Sequence, residues 1–123
     1  MVETLTDRNY EAFLKKNKIA VVLVGADFCP PCKKVLSFLE KEAKKQKEVA
    51  FGYINVDKQK MQAFTKYGIV HRIDFEDGGY LYTAGDMPLL IYYLYGTERK
   101  RQIGMPEKQT FQKTIDDLLA RSA

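Results

Sequence analysis

The stretch Val21 to Cys32, VVLVGADFCPPC, decides how this chain folds, because an apolar run ends there in two cysteines spaced Cys-x-x-Cys. A lysine-rich amphipathic segment follows at once. This is the pattern of a buried strand that delivers a dithiol to the start of a helix. Cys29 and Cys32 are the only cysteines, so any thiol chemistry runs between them or with a partner.

Composition describes a compact carrier for such a pair. The chain has 123 residues, 46% of them hydrophobic, enough for one domain (1–123) with one core. A net charge of +4 is modest and its lysines are dispersed, so a nucleic-acid surface is not indicated. No run approaches the roughly 18 apolar residues that span a membrane. The N-terminus MVETLTDRNY lacks the apolar run of a secretory signal, so the expected compartment is the cytoplasm, and the expected state a monomer. In a reducing cytosol a lone Cys-x-x-Cys is more often catalytic or metal-binding than a structural staple. A closed zinc site needs about four ligands. Two cysteines and His71, the sole histidine, do not supply them within one chain, so no metal is expected.

Working outward, periodicity alternates strands and helices. Val2 to Leu5 is extended, and Thr6 or Asp7 caps a helix through about Asn17. Ile19 to Val24 has the β-branched character of a strand covered on both faces. Cys29 to about Lys47 is helical, with Val35, Leu36 and Leu39 inward. Val49 to Val56 is a strand, and Lys58 to Tyr67 is a short helix closed by Gly68. Leu89 to Tyr95 is an apolar strand, Gly96 to Glu98 a turn, and Arg99 to Ile103 a polar edge strand whose charges block edge pairing. Pro106 opens a last helix through about Leu119. In Tyr92, Tyr93 and Tyr95, alternate rings are expected in the core and at the surface.

This order resembles the thioredoxin fold, a three-layer α/β/α arrangement with a central mixed sheet flanked by helices, over nearly the whole chain. The matches are Phe28-Cys29-Pro30-Pro31-Cys32, Asn55-Val56-Asp57, Lys66-Tyr67-Gly68-Ile69, Met87-Pro88 and Gly104, in the family's order. The Cys-Pro-Pro-Cys form is similar to that of tryparedoxin-type members. The resemblance implies a redox-active Cys29/Cys32 disulfide as the sole redox group, with Cys29 the nucleophile and Cys32 the resolving thiol. Phe28, Pro30, Pro31, Met87 and Pro88 would contact substrate, Pro88 through a cis bond. Protein disulfides would be the substrates, and a separate reductase would regenerate the dithiol, since the chain carries no nucleotide or flavin fingerprint. A helix N-terminus stabilises the Cys29 thiolate, and Cys32, pointing inward, attacks the mixed disulfide. The two prolines remove N–H donors near that thiolate, so its pKa depression is expected to be weaker than with a non-proline pair.

Three departures stand out. The buried acid that the family places six residues before the first cysteine is Leu23, and the lysine paired with it is Tyr53, so proton transfer must use water or another group. Phe28 replaces the family's tryptophan, and the chain has none. An insert of roughly fifteen residues, about 70–86, precedes Pro88 and reads as two alternating segments about the dipeptide Asp77-Gly78. This inserted hairpin-like loop is expected near the cysteines, as a lid or docking ridge in which Phe75, Tyr80 and Tyr82 meet a partner and His71 tunes the thiolate. The leading function is reduction of protein disulfides. Alternatives are a disulfide oxidase or isomerase, and a non-catalytic binding module that uses the insert.

Overall fold

The computed structural model describes all 123 residues. Seven strands and three α-helices run β1 (Val2–Thr4), α1 (Tyr10–Lys16), β2 (Ile19–Gly25), α2 (Pro30–Lys45), β3 (Ala50–Asn55), β4 (Val70–Asp74), β5 (Tyr80–Ala84), β6 (Leu89–Leu94), β7 (Thr97–Ile103) and α3 (Lys108–Ser122). Five strands form one mixed sheet in the order β1-β3-β2-β6-β7, and β4 with β5 forms a separate two-stranded sheet. β3 lies parallel to both β1 and β2, while β6 is antiparallel to β2 and β7. With its flanking helices this is the expected thioredoxin fold.

Every residue of β2 is buried, because helical layers cover both sheet faces. On one face Val22 and Val24 pack with Phe13 and Leu14 of α1 and with Phe64. On the other, Val21 and Leu23 pack with Val35 and Leu39 of α2 and with Phe111 and Ile115 of α3. Each aliphatic side chain so enclosed contributes about 1.5–3 kcal/mol relative to exposure. The same double cover revises the tyrosines of β6. Tyr92 and Tyr93 point to opposite faces, yet both are buried, and only Tyr95 is exposed. At the far end of α2, the amide of Gln46 donates to both Glu42 (3.1 Å) and Gln112 (2.7 Å), tying α2 to α3.

Several boundaries shift for local reasons. Thr6 Oγ1 accepts from the N–H groups of Arg8 and Asn9 and Asn9 Oδ1 accepts from the Thr6 N–H, a reciprocal cap, with regular helix from Tyr10. The expected third helix is two 3₁₀ segments, Val56–Lys58 and Met61–Tyr67, the second ended by Gly68 at φ 67°. Tyr95 and Gly96 both take positive φ, so a two-residue turn joins β6 and β7 and the edge strand begins at Thr97, earlier than expected. Pro106 lies just before α3, which starts at Lys108 with Glu107 as N-cap.

Tyr10 and Tyr93 bring their hydroxyls together at 2.6 Å in the core. Removing one hydroxyl leaves the other buried without its partner, which costs about 1–3 kcal/mol. Tyr10→Phe should therefore lower stability by about that amount, while Tyr10→Phe/Tyr93→Phe recovers part of it. Denaturant unfolding of the two singles and the double measures this. Additive losses would show that the hydroxyls do not depend on each other.

Candidate functional site

β2 ends at Gly25, and four residues later Cys29 occupies the N-cap of α2. Its sulfur accepts from the Cys32 N–H at 3.2 Å, and its carbonyl accepts from the same group at 3.0 Å. Pro30 and Pro31 fill the first helical positions, where an N–H would have no intrahelical partner to lose. The two cysteines are joined as a disulfide. Cys29 is half-buried and Cys32 is only 2% exposed, so the first cysteine keeps some access to solvent and the second is enclosed. Reduced, the Cys29 sulfur would lie where helix N–H groups and the dipole favour a thiolate.

Gly25 makes this closure fit. A Cβ added there would lie 3.0 Å from Cys32 Sγ, 3.1 Å from Cys32 Cβ and 3.0 Å from Tyr53 Cε1. Leu23 is fully buried in the apolar cluster, so that position offers no acid to the site. Beside it in the sheet stands Tyr53, half-buried. Burial pushes its phenol pKa up, and the charges of Asp27 and Asp57 push it further. Those carboxylates belong to a hydrogen-bonded ring. Asp57 Oδ2 accepts from the Asp27 N–H (2.9 Å), Asp27 Oδ1 from the Asn55 amide (2.7 Å), and Asn55 Oδ1 from the Asp57 N–H (3.0 Å). The ring holds the loop before Cys29 to the end of β3.

The Met87–Pro88 peptide bond is cis, with Met87 half-buried and Pro88 buried. The Pro88 carbonyl accepts from the Gly104 N–H at 2.8 Å, anchoring this loop to the end of β7. Phe28 is 95% exposed, and Pro30 and Pro31 are exposed as well.

The insert is a true hairpin, β4 with β5, but its turn is not the two-residue type that Asp77-Gly78 suggested. Gly78 alone takes positive φ, the Gly78 N–H donates to the Phe75 carbonyl and the Phe75 N–H to Gly79, giving a three-residue loop with a bulge. Its base packs on the core through Val70, Tyr82 and Ala84. Phe75 and Tyr80 are exposed, Arg72 lies 4.0 Å over the Tyr80 ring, and Tyr80 meets Tyr82 edge-on. His71 was expected to tune the thiolate. It lines a cleft of about 340 Å³ with Gly85, Asp86 and Arg101, whose lining includes neither cysteine. Arg101, read from sequence as an edge-blocking charge, donates to the carbonyls of Gly68 (2.9 Å) and Tyr67 (3.2 Å) and pairs with Glu98. Nothing in its spacing marked that role.

A family model described as thioredoxin matches residues 1–73. The chain belongs to the thioredoxin family. The match ends at Ile73, inside the first strand of the hairpin. A thioredoxin of Chlamydia pneumoniae is 25% identical over 116 residues, spanning 94% of this chain and 97% of that protein. Thioredoxin-2, mitochondrial, of Schizosaccharomyces pombe is 28% identical over 120 residues, 98% of this chain and 73% of that protein. Among solved structures, Plasmodium falciparum thioredoxin superposes with a TM-score of 0.72 at 20% identity, covering 94% of this chain and 98% of that one. Chlamydomonas reinhardtii thioredoxin f2 gives 0.73 at 18% identity, covering 95% of each. These two carry the fold alone. Thioredoxin family membership, with a cysteine pair at disulfide distance, supports thiol-disulfide oxidoreductase activity. No helix is long and apolar enough to cross a membrane.

Gly25→Ala tests the packing. Substituting glycine where the backbone allows it gains about 0.4–1 kcal/mol, whereas overpacking costs about 1–3. Cys32 is held by both α2 and the disulfide, so the overpacking should win. We expect a net loss of about 1 kcal/mol in thermal unfolding of the oxidised protein. A stabilised variant would mean that Tyr53 swings aside freely.

Proposed function

We propose that this protein reduces protein disulfides, with Cys29 as attacking nucleophile and Cys32 as resolving thiol. The observation that carries the reading is the asymmetry of the pair, in which a half-buried cysteine caps α2 and its partner is buried one turn on. The Cys29 thiolate attacks a substrate disulfide, a mixed disulfide forms, and one substrate sulfur leaves with the electron pair of the broken bond. Cys32 then attacks Cys29 Sγ, closing the Cys29–Cys32 disulfide and releasing the second substrate sulfur. Two electrons pass to substrate, and a separate reductase returns them. No redox group beyond the two cysteines enters this cycle. Phe28, Pro30 and Pro31 border the cysteines in sequence, and they would meet substrate together with Met87 and Pro88. We place the protein in the cytoplasm as a monomer, where a reducing dithiol can be kept reduced. The Cys-Pro-Pro-Cys form, similar to tryparedoxin-type members, favours dedicated protein substrates.

The hairpin supports a recognition role alongside the chemistry. Phe75, 48% exposed, and Tyr80, 56% exposed, present aromatic area that the core does not use. With Tyr82 and His71 nearer its base, this ridge would select the partner.

The potential of the Cys29/Cys32 pair, read by thiol trapping and mass in redox buffers, should lie near the roughly −270 mV of reducing members. A value near the roughly −180 mV of an isomerase would reverse the direction of flow assigned here. In the same preparation Cys32→Ser should accumulate mixed disulfides on Cys29, and Cys29→Ser should accumulate none.

Phe75→Ser/Tyr80→Ser should leave reduction of a small generic disulfide within about twofold of wild type while lowering capture of native protein partners by Cys32→Ser from a lysate, since truncating aromatic anchors costs about 1 kcal/mol or more each. Unchanged capture would return the hairpin to a purely structural role.

A further inference from the structure

Resting on the oxidoreductase reading, the closing step raises a question that the geometry answers. Cys32 is 2% exposed and must lose its thiol proton to attack Cys29, so a group within the fold has to take that proton. A titratable side chain that converges with it on the space over Gly25 is Tyr53. Cys32 Sγ and Tyr53 Cε1 each lie 3.0 Å from the position a Cβ on Gly25 would take, so the two atoms are at most twice that distance, 6.0 Å, apart. The absence of a side chain on Gly25 is what lets them converge. We propose that Tyr53 carries the proton that Cys32 gives up, passing it through water toward the Asp27 and Asp57 carboxylates and solvent.

The charged groups acting on this phenol are Asp27, from the loop after β2, and Asp57, from the turn after β3. α2 contributes Cys32, and β1 contributes the uncharged Thr4 opposite Tyr53. A phenol is neutral at physiological pH, and burial with the two carboxylates raises its pKa further, so its hydroxyl both accepts and donates. The step balances. The Cys32 S–H bond breaks, its proton leaves along this route, Cys32 Sγ bonds to Cys29 Sγ, and the Cys29–substrate bond breaks with its electron pair on the departing sulfur, which takes up a proton from solvent.

The test mixes reduced protein with dithiobis-nitrobenzoate, whose thiol product absorbs visible light, in stopped flow. Cys29 attack gives the first absorbance phase and Cys32 closure the second, which Cys32→Ser must lack. In Tyr53→Phe, which keeps the ring, we expect the first phase within about twofold of wild type and the second slowed about tenfold or more near pH 6. The difference should shrink at alkaline pH, where hydroxide takes the thiol proton directly. A second phase unchanged in Tyr53→Phe overturns the proposal, and so does slowing by the same factor at every pH, which marks a packing effect. If wild type itself shows no second phase, the oxidoreductase reading fails first and takes this one with it.

Discussion

Enclosure of β2 on both faces is the constraint from which the rest of the architecture follows. A strand with all seven residues buried cannot exist without a helical layer on each side. α1 and the 3₁₀ segments supply one layer, α2 and α3 the other, and β6 is buried throughout for the same reason. The strand then ends at a glycine, where the backbone is thin enough for the first turn of α2 to settle against it. The cysteine pair inherits its position from that contact. Cys32 lies against the sheet, and the half-buried Cys29 stands at the start of α2.

Much of this was legible in the residues. The apolar run before Phe28 marks a central strand, and two prolines beside a cysteine at a helix start satisfy the N-terminal turn without cost. Leu23 and Tyr53 were visible as departures, and their places side by side are what the pairing of two central strands produces. Less legible was anything set by long-range contact. The amphipathic pattern from Lys58 to Tyr67 has helical spacing, but the segment is too short to hold a regular helix, and the tighter 3₁₀ turn seats Phe64 in the core. Period-two reasoning put one of Tyr92 and Tyr93 at the surface, whereas the helical layers on both sheet faces bury them both. Asp77-Gly78 signalled a turn correctly but not its length, since Asp77 stays out of the left-handed region and Gly78 alone enters it.

Arg101 shows how an edge residue becomes internal to the design. Its guanidinium spans from Glu98 on its own strand to two carbonyls at the end of the second 3₁₀ segment, just where the chain leaves for the hairpin. Glu98 also holds its pKa above the usual arginine value, so the charge is permanent. The fork therefore closes the end of the sheet beside the insert and fixes the angle at which β4 departs.

The five-stranded sheet is also a partition. Tyr53 packs with the cluster on the α2 and α3 side, whereas Val70, Tyr82 and Ala84 at the hairpin base belong to the cluster on the opposite side. No side chain bridges the two clusters, because successive residues of a strand point to opposite faces. A substitution at the hairpin base and one beside Tyr53 thus fall in different side-chain clusters, joined through the backbone of the central strands. In the roles proposed for them, the hairpin's contacts and the chemistry beside Tyr53 would be tuned independently, one on each side of a wall.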